Sequence, residues 1–173
     1  MTDEQGREPT PQNSPEDETL LSFLEWQRAT FAWKTGGVDA TGMNKALPPS
    51  TLTLGGLVKH LALVEDWWFS HNFGGLEEAE PWRSVDFDAD PEWEFRTSAD
   101  DSPAQLRALW EANVAASREA VSGKQMGSLS ERTNPRGEPF TLRWVVLHMI
   151  EEYARHLGHV DLIREGVDGL VGE

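Results

Sequence analysis

The stretch Thr141-Leu142-Arg143-Trp144-Val145-Val146-Leu147-His148-Met149-Ile150-Glu151-Glu152-Tyr153-Ala154-Arg155-His156-Leu157-Gly158-His159 decides how the chain folds. Thr141 supplies an N-terminal cap, and the pattern after it predicts one long helix from Leu142 to about Gly166. At 100° per residue, His148, Glu152, Arg155, His156 and His159 fall within an arc of about 100° on one face. Glu152 and His156 are neighbours at i and i+4, so a carboxylate oxygen and an imidazole nitrogen can converge on one ion. His148 lies two turns before His156, about 12 Å along the axis, too far to hold the same ion with it. A further ligand has to come from another helix.

Three more helices are legible upstream. Ser14-Pro15-Glu16-Asp17 reads as a cap, a proline at the first helical position and acids in the first turn, opening a helix through Leu20 and Trp33 that Gly36-Gly37 should stop. After a linker with Gly42, Pro48 and Pro49, Thr53 starts a second pattern through Leu57, His60, Leu61, Val64, Trp67, Trp68 and Phe69 to Gly74-Gly75. Ser102-Pro103-Ala104-Gln105 has capping-box spacing, and Leu106, Leu109, Trp110, Val114 and Val121 continue a third helix to Gly123. A polar connector through Pro135 to Pro139 precedes the fourth. From Leu76 to Asp101 the helical period is lost, which predicts a crossover loop with room for a short strand. Residues 1–13 are polar, with Pro9 and Pro11, and are expected to form a disordered arm; residues 14–173 are expected to form one domain. Four helices of about 20 residues each, with no convincing strand pair, predict an all-α four-helix bundle with a long crossover loop between helices 2 and 3.

Composition narrows what such a chain can do. Its 173 residues suit one domain with a real core. Fifteen Lys and Arg against 30 Asp and Glu leave a formal charge of −15, which repels phosphate backbones and anionic lipid, so neither nucleic acid nor membrane is expected as a partner. With no cysteine there is no thiolate nucleophile or ligand, and any thiol chemistry must come from a co-substrate. The acidic N-terminus carries no apolar run, and no segment has membrane-spanning length, so a cytoplasmic location is expected.

On the second helix, His60, Val64, Trp67 and His71 share a stripe, which turns His60 toward the core side. Gly55 and Gly56 sit one turn earlier, where they either admit a close neighbour or tune packing at the helix start.

Thr53-Leu54-Gly55-Gly56-Leu57-Val58-Lys59-His60-Leu61, Glu65-Asp66-Trp67-Trp68-Phe69, and Pro139-Phe140-Thr141-Leu142-Arg143-Trp144 running into His148 to His156 together resemble the DUF664 branch of the DinB-like superfamily. Trp26-Gln27-Arg28-Ala29-Thr30 and Asp161-Leu162-Ile163-Arg164-Glu165 extend the likeness over nearly the whole chain after the arm. The resemblance implies a four-helix bundle with a divalent-metal site, its ligands a histidine of the second helix and an i, i+4 pair on the last. Carried over residue by residue, these are His60, Glu152 and His156. The superfamily commonly has histidine where Glu152 stands, although its mycothiol-dependent maleylpyruvate isomerases are similar in using His, Glu and His. His159 replaces a glutamine, which frees it as a base or as a partner to a ligand. Zinc is the first expectation, with nickel, manganese or iron also suited to two imidazoles and a carboxylate.

The function implied is a metal-dependent S-transferase or isomerase using a low-molecular-weight thiol of the mycothiol or bacillithiol kind, with Arg155 or His159 orienting the co-substrate and acting in catalysis. Two other classes fit the same residues. One is a non-catalytic, stress-associated bundle that keeps metal for stability; the other is a metal-dependent hydrolase with Glu151 or His159 as base. An anionic thiol would need cations, and the candidates are few: Lys59, Arg143, Arg155 and Arg164. The partner expected is a small-molecule substrate, and pairing through exposed helix faces would give a homodimer. Of eight tryptophans, Trp67, Trp68 and Trp110 are expected in the core or at the mouth of the site, and Trp82 and Trp93 in a lid, an interface or fold-back packing.

Overall fold

The computed structural model of the chain describes residues 2–172. Helix α1 (Glu16–Thr35) starts one residue later than the sequence suggests, with Pro15 rather than Ser14 at the cap, and its first turn carries Glu16, Asp17 and Glu18 against the positive end of the helix dipole. The linker holds one further turn, α2 (Ala40–Met43), capped by the Asp39 carboxylate on Gly42 N–H at 2.8 Å. A side chain at Gly42 would meet Val38 at 2.6 Å and Val167 at 2.9 Å, so the turn lies too close to the end of the last helix for any residue but glycine.

Helix α3 (Leu54–Glu65) begins on its expected cap, Thr53, which accepts from Gly56 N–H at 3.0 Å. The expected continuation to Gly74 is not α-helical: Asp66–Phe73 widens into a π-helix, which buries Phe69 and Phe73 and leaves Trp67 39 % exposed. The 76–101 segment contains no strand. It is punctuated by 3-10 turns at Trp82–Ser84 and Ser98–Asp100 and by α4 (Trp93–Thr97). Trp82 is fully buried with Trp93 edge-on to it at 6.2 Å, which is fold-back packing.

Helix α5 (Pro103–Val121) carries the complete capping box of Ser102 and Gln105. The expected absence of a strand pair is corrected by an antiparallel hairpin in the polar connector, β1 (Leu129–Thr133) with β2 (Pro139–Thr141), in which Leu129 faces Thr141 and Thr133 faces Pro139. Gly137, at φ +81°, closes its turn. Helix α6 (Leu142–Asp168) follows from the Thr141 cap and ends on Gly169 in the left-handed conformation. The molecule is therefore mostly helical with one small two-stranded sheet.

Helix α1 packs on α6, α3 on α5 and α6, and the π-helical turn on α5 and β1. Leu57, Leu61, Leu106, Val114, Val145 and Met149 are among the buried side chains between them. Threaded through this apolar core is a polar chain. Arg28 of α1 forks onto Glu65 at 2.8 and 2.6 Å, Tyr153 of α6 donates to Glu65 at 2.7 Å, and Trp110 of α5 donates to Tyr153 at 2.9 Å. Burial opposes the charge on Arg28, but the facing Glu65 carboxylate outweighs it and raises the guanidinium's pKa. Residues 2–13 carry no helix or strand, yet Arg7 is buried, bonded to Asp3 and Thr30 and lying over the rings of Trp26 and Trp33. Among the described residues no helix is long and apolar enough to cross a membrane.

Candidate metal centre

His60 reaches the centre from α3, and Glu152 and His156 from α6. One ligand atom from each lies within 4.8 Å of the others. His156 Nε2 is 3.3 Å from Glu152 Oε2, and the His60 and His156 rings meet edge to face at 4.9 Å. His156 is buried and the other two are half-buried. The hydrogen bond from His156 holds the Glu152 carboxyl below its usual range; burial works against this, and the charges of His156, His148 and His60 add to it.

A fourth residue completes the arrangement, and sequence reasoning missed it. Glu94 of α4, only 4 % exposed, places Oε1 3.0 Å from His60 Nδ1. A carboxylate only accepts, so this bond requires the proton on Nδ1 and leaves the Nε2 lone pair of His60 free to bind an ion. Phe95 stacks on the other side of the same ring at 4.8 Å. The short helix is held there by Lys59, which pairs with Asp101 at 2.6 Å, donates to Thr97 Oγ1 at 3.0 Å and lies 4.4 Å from the centre of the Trp93 ring. Gly56 makes room for it: a Cβ would stand 3.1 Å from Phe95 Cδ1, closer than ordinary contact. Close approach is thus one reason for a glycine at this position. Nothing in Trp93-Glu94-Phe95 separates Glu94 from its acidic neighbours, because five residues of helix are too few to carry a period.

The donor set fits a divalent cation. Two carboxylates and two imidazoles are gathered where, among the described residues, no Lys or Arg pairs with either Glu94 or Glu152. Glu94 Oε2 and His156 Nδ1 are buried without a partner. No Lys or Arg offsets the negative charge gathered here, and a doubly charged ion would do so.

The remaining residues singled out by the sequence divide. His148 does not join the three ligand candidates; its Nε2 stands 3.5 Å from Glu152 Oε1, and its ring stacks on Trp144 at 5.0 Å and meets Trp68 edge-on. His159 is half-buried with its ring 5.5 Å from that of His156; burial lowers its pKa, and His156 and Arg155 lower it further. Arg155 is exposed and engaged by Glu151 at 2.7 Å, so the structure does not bring its guanidinium to the three. Lys59 is committed to α4, Arg143 to Glu16, and Arg164 to Asp168 and the carbonyls of Lys34 and Gly36.

No curated protein matches the chain. A family model described as mycothiol-S-transferase matches residues 19–169, which takes in α1 from Thr19 onward, the His60 helix, the Glu94 segment and the whole of α6. The chain therefore belongs to the mycothiol S-transferase family, within the DinB-like superfamily.

Proposed function

We propose that this protein is a metal-dependent S-transferase whose co-substrate is a thiol without carboxylates, mycothiol by family, and that α1, α3 with its π-helical extension, α5 and α6 form a four-helix bundle with 76–101 as the crossover. The observation that carries the reading is the convergence of His60, Glu152 and His156 within 4.8 Å, with Glu94 behind His60. These three residues would hold the ion, zinc first, with nickel, manganese or iron also compatible with the donor set. Such an ion supplies Lewis acidity that lowers the pKa of a thiol toward neutrality.

The protein's own groups account for the rest. The thiol loses its proton, sulfur forms a bond to an electrophilic carbon, and the leaving group departs with the bonding pair. His159 stands beside His156 with one ring nitrogen buried and unpartnered, which supports it as the group that takes the thiol proton. Arg155, held at the rim by Glu151, is left to contact the outer part of the co-substrate. Lys59, Arg143, Arg155 and Arg164 are all engaged by carboxylates, so a thiol bearing several carboxylates would have to compete with those partners for each of the four. A neutral, polyhydroxylated thiol meets no such penalty.

The test is metal analysis by plasma mass spectrometry on untagged protein and its His156→Ala variant, followed by thiol consumption with a panel of electrophiles. Near-stoichiometric metal in the wild type, lost in the variant, with metal-dependent loss of mycothiol but not of glutathione, is the expected result. Absence of bound metal after incubation with zinc or nickel would overturn the reading.

A further inference from the structure

One turn beyond His60 on α3, at Leu63 and Val64, opens a cavity of about 500 Å³. Five of its lining residues are apolar: Leu63, Val64 and Trp67, with Val85 and Phe87 from the 76–101 segment. Trp67 is 39 % exposed but not loose, because it stacks on His71 at 4.7 Å and 14°. The volume lies within the range of small-molecule sites, and a rigid indole left facing an apolar hollow is the usual lining of one.

The charged part of the lining has one sign. The other three lining residues, Glu78, Asp86 and Asp88, are all acidic, and among the described residues none of them pairs with a Lys or Arg. Asp86 accepts the backbone N–H of Asp88 and of Ala89, each at 3.1 Å, which ties the turn that carries two of the three acids. The hollow therefore combines an apolar lining that includes one indole with three carboxylates unpaired by Lys or Arg. An anion is repelled by these carboxylates, and a neutral molecule gains only the apolar lining. A molecule with a flat apolar body and one positive charge gains the apolar lining, the carboxylates and the cation–π attraction of Trp67 together.

We infer that this cavity binds the acceptor of the transfer reaction and that the acceptor class is an apolar, planar electrophile bearing a cationic group; the inference rests on the S-transferase reading for the word acceptor, but not for the binding. Val64 stands at i+4 from His60, about 6 Å along the axis, so the cavity begins one helical turn from a candidate ligand.

Binding is measured by isothermal titration calorimetry on the full chain without metal, using three probes of one shape: 2-naphthylmethylammonium, 2-naphthalenemethanol and 2-naphthoate. The cation is expected to bind about three- to tenfold tighter than the alcohol, with naphthoate weakest. In the Glu78→Gln, Asp86→Asn, Asp88→Asn triple variant that preference should vanish while the alcohol still binds, because the apolar lining is intact and the amide oxygen introduced by Asp86→Asn can still accept the turn's N–H groups. Trp67→Ala should weaken the cation and the alcohol alike. Equal affinity for the three probes, or a cation preference that survives the triple variant, overturns the inference. Metal content, read separately on the same triple variant, is expected at the wild-type level. The expected probe preference in a protein that takes up no zinc or nickel would sink the S-transferase reading alone, and metal uptake without that preference would sink the acceptor site alone.

Discussion

Glu94→Gln tests the centre most sharply, because it changes a charge and little else. Glutamine keeps a carbonyl acceptor at the position from which Glu94 Oε1 receives His60 Nδ1–H at 3.0 Å. A hydrogen bond to an ionised group is worth about 1.5–3 kcal/mol and a neutral one about 0.5–1.5 kcal/mol, so the exchange costs about 1–2 kcal/mol. That cost falls on the metal-bound state, since an imidazole that gives its Nε2 lone pair to a cation becomes a stronger donor at Nδ1. At 1.4 kcal/mol per decade the variant should bind zinc about 5- to 30-fold more weakly. The metal-free protein should melt no lower than the wild type, because Glu94 Oε2 is already buried without a partner and removing its charge relieves a desolvation cost. Zinc affinity is read by competition with a chromophoric chelator, and stability by thermal unfolding of the metal-free form. Unchanged zinc affinity at wild-type melting would refute the role given to Glu94. A large drop in metal-free melting would make it a structural residue instead.

Three further outcomes are expected. Tyr153→Phe removes the hydroxyl that donates to Glu65 and accepts from Trp110, stranding the indole N–H, and should cost about 2–4 kcal/mol in urea unfolding; a loss below about 1 kcal/mol would mean that the chain of bonds adds nothing net. Gly42→Ala places a methyl 2.6 Å from Val38 and 2.9 Å from Val167 and should destabilise by about 1–3 kcal/mol despite alanine's better helix propensity, so a neutral or stabilised variant would contradict the packing described. Burial raises the pKa of Asp66, only partly offset by the N–H of Ala79. Its folded form thus holds a proton more tightly than the unfolded chain, and stability falls as pH rises from about 4 through the raised value. In Asp66→Asn that component is absent, and the variant should gain on the wild type as the pH rises above about 4; a constant difference across the titration would exclude it.

How much of this was legible in the sequence depended on how local the causes were. Caps are local: Thr53, the Ser102–Gln105 box and Thr141 act over three residues, and all three open helices where expected. The i, i+4 pair of Glu152 and His156 is equally local, and His60 was reachable because it lies on the core stripe of its helix. The π-helical turn was not legible, since Phe69 and Phe73 are spaced as an α-helix would also space them. Nor was the hairpin, whose first strand is five mostly polar residues and whose second opens with proline. Glu94 and Arg28 were missed for a common reason. Their partners lie 34 and 37 residues away, and a charged residue in a charged chain reads as solvated until its partner is known.

The buried polar chain and the candidate metal centre are two parts of one constraint on α6. Tyr153, which donates to Glu65, directly follows Glu152, and Glu65 lies five residues after His60 on α3. The same two helices therefore meet twice, once through Tyr153 and Glu65 and once through His156 and His60. Apolar packing alone would tolerate a slip of α6 by one residue, a rotation of about 100° and a shift of about 1.5 Å, because Val145, Val146 and Met149 offer apolar surface over a wide arc. The polar chain does not tolerate it. A slip one way sets Glu152 against Glu65, two carboxylates facing each other in the core; a slip the other way sets Ala154 there and leaves Trp110 Nε1 without its acceptor. Only the observed rotation gives Glu65 its tyrosine donor and Trp110 its acceptor, and that rotation turns Glu152 and His156 toward His60. The position of the candidate metal ligands is thus fixed by a tyrosine that does not touch them, and variants at Tyr153 should loosen any metal binding as well as the fold.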